Sequence, residues 1–233
     1  MKKFFYLAFA ALVMMACGDG NDPNAPEINP VSDNGMLPGK FTVDDKGTQV
    51  QFAQGNLQYQ ASTDTWRFAY NQWEYTAKGW QGYFMWGTGD DPTLDEDHYK
   101  ESHNGFTDWG NNPISNGGNE PNRWRTLKSD EWKYILLGRN KAAELVGLGT
   151  VADRHGAILL PDNWVMPADV PAFVPGITKG METGTVGYFA HSAYAAYIGD
   201  ADHYQDNIYT ADQWRVMEAA GAVFLPAIWR EAR

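Results

Sequence analysis

Residues Trp109–Trp132 read WGNNPISNGGNEPNRWRTLKSDEW, and this stretch decides the fold. It opens on a Gly/Asn/Pro-rich loop, spaces Trp124 and Trp132, and ends on a helix start. Ser129 stands before Asp130 and Glu131, an N-cap followed by acids in the first turn, where the helix dipole favours them. Trp132, Ile135 and Leu136 fall at i, i+3 and i+4, which gives one apolar stripe, with Gly138 near its end.

Toward the C-terminus a second helix starts at Thr210, with Gln213 three residues on as a capping box and Gly221 at the C′ position. The two starts, SDEW and TADQW, look alike; one sequence leaves open a repeat or two solutions to one capping problem. Each helix is followed by a short apolar run ending in Leu-Pro, Ala157–Pro161 and Ala222–Pro226. Such runs suit strands buried on both faces, and proline then stops the ladder. Between them, Val165 to Asn207 is rich in Pro, Gly and Tyr and reads as loop.

Toward the N-terminus the pattern is β. Phe41-Thr42-Val43 meets a turn at Asp44–Gly47, and Gln49 to Phe52 alternates polar and apolar. Leu57-Gln58-Tyr59 and Trp66-Arg67-Phe68 follow, separated by a turn at Ser62–Thr65. Trp73 to Asn112 holds no sustained period; Trp73, Trp80, Trp86 and Trp109 stand there among glycines. Asp90 to His103 within it is strongly acidic.

The first residues read as a processing signal. Lys2 and Lys3 precede an apolar run, Phe4 to Met15, shorter than the roughly 20 residues a membrane span needs. The run ends in Met14-Met15-Ala16-Cys17, which resembles a lipobox with Met14 in place of the usual leucine. Cys17 is the expected lipidation site and the only cysteine, which excludes an intrachain disulfide and cysteine-pair redox chemistry. Residues 1–17 are thus a lipoprotein signal peptide, 18–39 a flexible tether, and 40–233 a single domain. The expected location is the outer membrane, facing the periplasm or the cell surface, with membrane contact through the lipid anchor alone.

The formal charge of −11 makes a poor partner for nucleic acid, which needs a basic patch. Ten tryptophans and 24 glycines in one chain fit a loop-rich body filled by large rings rather than by long helices.

The segments NNPISNGG, PNRWRTLKSDEWKYIL, ILLPDNW and YTADQWRVMEAAGAVFLPA together resemble a group of Bacteroidetes-type secreted lipoproteins. These are similar to the formylglycine-generating-enzyme (sulfatase-modifying factor) version of the C-type-lectin-like fold. The match covers roughly Phe41 to Pro226, and Arg125 to Trp132 matches that family's common helix start. The resemblance implies an α+β, C-type-lectin-like domain of short antiparallel strands, two helices and long irregular loops. It also implies further strands beyond the FLPA segment, so that a C-terminally truncated chain would carry an exposed sheet edge. The family's enzymes work through a cysteine pair and copper, and no cysteine lies beyond Cys17, so that activity does not carry over.

Glu120-Pro121-Asn122 matches the EPN triplet with which C-type lectins hold calcium and a sugar's hydroxyls. Here it precedes the helix and no Trp-Asn-Asp follows, so a turn feeding Ser129 is the favoured reading. Asp95-Glu96-Asp97-His98 and Asp200-Ala201-Asp202-His203 resemble each other, and Asp95, Asp97, Asp200 and Asp202 are the oxygens that would hold calcium. Neither copy has an EF-hand's glycine or terminal glutamate, so a solvated acidic loop is favoured there. The five histidines show no metal-binding spacing, and P-loop, GxGxxG and G-x-S-x-G motifs are absent.

Trp66, Trp124, Trp132 and Trp214 sit in periodic contexts and read as core. Trp80, Trp86 and Trp109 lie in irregular loops and are the ligand-binding candidates, with Glu120 and Asn122. The expected function is non-catalytic binding of a glycan or protein ligand through the loops. The alternatives are a structural component of a surface assembly, or an enzyme of the formylglycine-generating type that has lost its cysteines.

Overall fold

A computed structural model describes residues 12–14, 34–94, 98, 105–176 and 204–227. The chain is an α+β protein of short strands with two α-helices among these residues. No helix among them is long and apolar enough to cross a membrane. The stretch read as one domain groups into two compact units: one is Val50–Lys128 with the segment ending at Pro38, the other is Gly39–Gln49 with the chain from Ser129 onward.

In the first unit, β1 (Leu12–Met14) lies between β3 (Gln49–Phe52) and β6 (Trp124–Thr126), antiparallel to both. Leu12–Met14 belongs to the apolar run read as a leader; here its backbone pairs Val13 with Phe52 on one side and Arg125 on the other. A second ribbon joins β4 (Leu57–Gln60) to β5 (Thr65–Phe68), with Tyr59 opposite Trp66 and Gln58 opposite Arg67. Alternation sends Trp66 and Phe68 inward and leaves Thr65 and Arg67 half-buried on the outer face.

The loop of the decisive stretch completes this ribbon. Phe68 donates its N–H to Asn116 Oδ1 at 2.7 Å, and Asn116 Nδ2 donates to Phe68 O at 2.9 Å. One amide side chain therefore plays the part of a neighbouring strand on the free edge of β5. Ser115 N–H bonds Trp66 O at 2.8 Å beside it. Asp108 caps the 3-10 turn Trp109–Asn111 through Gly110 N–H and also accepts from Thr126 N–H and Oγ1 at 2.9 and 3.0 Å. Gly110 must be glycine, because a Cβ there would stand 1.8 Å from Trp124 O. The core is a run of rings: Tyr59 on Trp66 at 4.8 Å, Trp66 on Phe84 at 5.1 Å, and Phe68 edge-on to Trp124 at 4.6 Å.

The second unit begins with β2 (Phe41–Thr42) and a turn in which Asp44 accepts from the Lys46 and Thr48 N–H groups and Gly47 takes φ 81°. Helix α1 (Ser129–Lys133) is shorter than its apolar stripe suggests. It relaxes into a π turn, Tyr134–Gly138, that still buries Ile135 and Leu136. Strands β7 (Val146–Val151), β8 (Arg154–Leu159), β9 (Ile208–Tyr209) and β10 (Val223–Pro226) form one sheet in the order β10-β8-β7-β9. Pairing is antiparallel except between β7 and β9. Helix α2 (Ala211–Ala219) has both bonds of its capping box, Gln213 N–H to Thr210 Oγ1 and Thr210 N–H to Gln213 Oε1, and Gly221 follows at φ 98°.

Candidate functional site

The first unit gathers an aromatic surface from two separated loops. Thr107 N–H donates to Gly87 O at 2.8 Å and Gly89 N–H to Thr107 O at 3.0 Å, so 87–89 and 107 run side by side. Gly87 permits the approach: its φ is 75°, and a Cβ there would meet Phe106 at 2.9 Å. The result sets Trp86 and Phe106 5.2 Å apart with their planes inclined by 40°. Trp86 is 50% exposed and Phe106 51%, so two large rings face solvent together.

Trp109, whose loop setting suggested an accessible platform, is 2% exposed. It meets Trp86 edge-on at 5.8 Å and also approaches Phe84 at 6.3 Å. Its part is therefore to hold Trp86 from below. The Asp108 bonds fix the turn that carries it, and Asn112 Nδ2 donates to Gly89 O at 2.7 Å, tying the two loops once more. Phe106 had no mark in the sequence: it follows an acidic run and a glycine, and only the 87–107 pairing brings it to Trp86.

Trp80 is half-buried and carries the Arg67 guanidinium 3.7 Å from its ring centre. Trp66, Trp124, Trp132 and Trp214 are all buried, as their periodic contexts implied. Glu120 is exposed and pairs with Arg123 at 3.4 Å. Asn122 is exposed at φ 61°, and its N–H donates to Gly110 O at 2.7 Å. That is turn geometry: Glu120 is engaged by a guanidinium, and Asn122 holds the left-handed position that asparagine tolerates. Cys17, Asp95, Asp97, Asp200 and Asp202 lie outside the described residues. No cluster of three or more His, Cys, Asp or Glu side chains that could hold a metal ion occurs among the described residues.

In the second unit His155 stacks on Tyr204 at 4.7 Å. Thr150 Oγ1 donates to Tyr204 O at 2.9 Å and lies 3.0 Å from His155 Nδ1. These contacts position the imidazole. Burial pushes the phenols of Tyr204 and Tyr209 up to about 12.

Comparison with protein-family models, with curated proteins and with solved structures finds no match to the chain.

Proposed function

We propose that this chain is a lipid-anchored, non-catalytic binding module of C-type-lectin-like type, acylated at Cys17 and displayed from the outer membrane. Its ligand is a glycan taken on the Trp86–Phe106 surface. One observation carries the reading: two half-exposed rings 5.2 Å apart, supported by a buried third. Sugar rings present C–H faces that pack on aromatic faces, and paired rings held in advance spare the ordering entropy of binding. The loop bonds at Gly87, Thr107 and Asn112 supply that preorganisation.

Glycan-array binding by the full chain tests it. Trp86→Ala and Phe106→Ala should each weaken binding at least about tenfold, a loss of roughly 1.4 kcal/mol, with melting temperature little changed because both rings are half-exposed. Equal binding by the double variant would remove the surface from consideration.

A second reading, a component of a surface assembly, draws on the position of β1. If the leader is removed at Cys17, β3 and β6 lose the strand they share, and their backbone groups become an edge for another chain.

A further inference from the structure

Arg67 is held differently from the other well-bonded arginines. Arg123, Arg139 and Arg215 each pair with a carboxylate, Glu120, Asp162 and Asp212. Arg67, in a chain with 29 acidic residues, pairs with none among the described residues. Its Nε donates to Gln58 Oε1 at 2.9 Å across the β4–β5 register, and Gln58 is fully buried. Its guanidinium carbon lies 3.7 Å from the Trp80 ring centre and 5.1 Å from that of Tyr70. The Trp80 backbone is itself fixed: its amide N–H donates to Ala77 O at 2.9 Å, and Gln81 and Tyr59 exchange two backbone bonds of 2.8 Å beside β4. The inner edge and one face of the guanidinium are thus committed, while neither Nη group of this half-buried residue has a hydrogen-bond partner among the described residues. Tyr70 is 58% exposed beside them, and Lys78 is exposed on the Ala77–Trp80 turn.

We propose that Arg67, Trp80 and Tyr70 form a binding site for the carboxylate of an acidic sugar, a uronate. A guanidinium locked through Nε and stacked on an indole has little rotamer freedom left to lose, so its free Nη pair meets a carboxylate end-on with two charge-assisted bonds. The exposed Tyr70 ring beside it offers a face to the sugar's C–H bonds. One cation flanked by one open ring matches a single sugar unit. An acidic peptide is read by a cluster of arginines, and no second arginine contacts the Trp80 or Tyr70 ring among the described residues. The site shares no residue with the Trp86–Phe106 surface, so a neutral glycan can bind there with Arg67 idle, and the two readings fail separately.

Titrating trigalacturonate into the full chain while following tryptophan fluorescence or heat tests this, with cellotriose and hexaglutamate as controls. Trigalacturonate should bind, more weakly as salt rises, and cellotriose should not compete at this site. Arg67→Gln and Arg67→Lys should each lower trigalacturonate affinity about tenfold or more, since lysine keeps the charge but loses the fork. Tyr70→Ala, at an exposed ring, provides a variant that keeps the Arg67–Gln58 bond if Arg67→Gln fails to fold. Trp86→Ala should leave trigalacturonate binding unchanged. No binding by the parent chain, undiminished binding by the folded Arg67 and Tyr70 variants, or tighter binding of hexaglutamate would each overturn the proposal.

Discussion

Arg139 carries a guanidinium side chain that is fully buried, 3.1 Å from Asp162 Oδ1, with Nε donating to Ile135 O at 2.8 Å. Asp162 spends its other oxygen on Thr42, accepting from its N–H at 2.8 Å and its hydroxyl at 2.7 Å. Burial pulls the arginine's pKa down and the Asp162 contact pushes it back. Removing the carboxylate would leave a buried cation unpaired. Asp162→Ala should therefore cost about 3–5 kcal/mol, and adding Arg139→Met in that background should restore most of it. Urea denaturation of the single and double variants reads both numbers; a loss below 1 kcal/mol in Asp162→Ala would show the pair to be solvated. Nothing in the sequence marks this pair, because Arg139 and Asp162 are brought together only by the packing of α1, its π turn and β2. The same holds for Arg67 and Trp80, thirteen positions apart, which meet because Gln81 pairs beside Tyr59.

Among the elements, those with local signals were legible. The α2 capping box needs only Thr210 and Gln213, two residues that settle each other's bonds, and the apolar runs of β8 and β10 declare their burial. Strand β7 was not legible: Val146-Gly147-Leu148-Gly149 puts glycine at alternate positions, which reads as loop. Its turn to β8 runs through Ala152 and Asp153 at φ 46° and 64°, without the glycine that announces such hairpins. The Gly/Asn/Pro composition of the decisive stretch announces a loop, but its role as a strand substitute through Asn116 rests on a partner 48 residues away. Strand β1 gives the element-scale prediction. A chain begun at Asn34 lacks the strand between β3 and β6, so it should melt lower than the full chain and self-associate. Light scattering and calorimetry check this; a monodisperse monomer with the full chain's melting temperature would mean that β1 contributes nothing to the sheet.

At the scale of the molecule, composition gave the general character. Ten tryptophans and 24 glycines point to a ring-filled, loop-rich body, and the aromatic runs through Trp66 and Trp214 provide that filling. Composition did not say which rings stay outside, since Trp86 and Trp109 have similar neighbours and opposite exposure. The phenols set an alkaline limit on stability. Tyr204 and Tyr209 titrate at about 12 when folded, against 10.0 when unfolded, so the neutral form is favoured by folding. That stability is fully present below pH 10 and is lost as pH rises through 12. Absorbance of tyrosinate against pH should show these two phenols ionising last and together with unfolding. Reversible titration of every tyrosine near pH 10 in a folded chain would contradict their burial.

The proposed glycan surface is tested most directly at Trp86. Fluorine NMR of the full chain with all ten tryptophans replaced by 5-fluorotryptophan resolves the indoles individually, with Trp86→Phe supplying the assignment. On adding the glycan that binds best on an array, the Trp86 resonance should shift most, with the buried Trp66, Trp124 and Trp214 still. Shifts confined to Trp132 and Trp214, or none at Trp86 while binding saturates, would contradict the account.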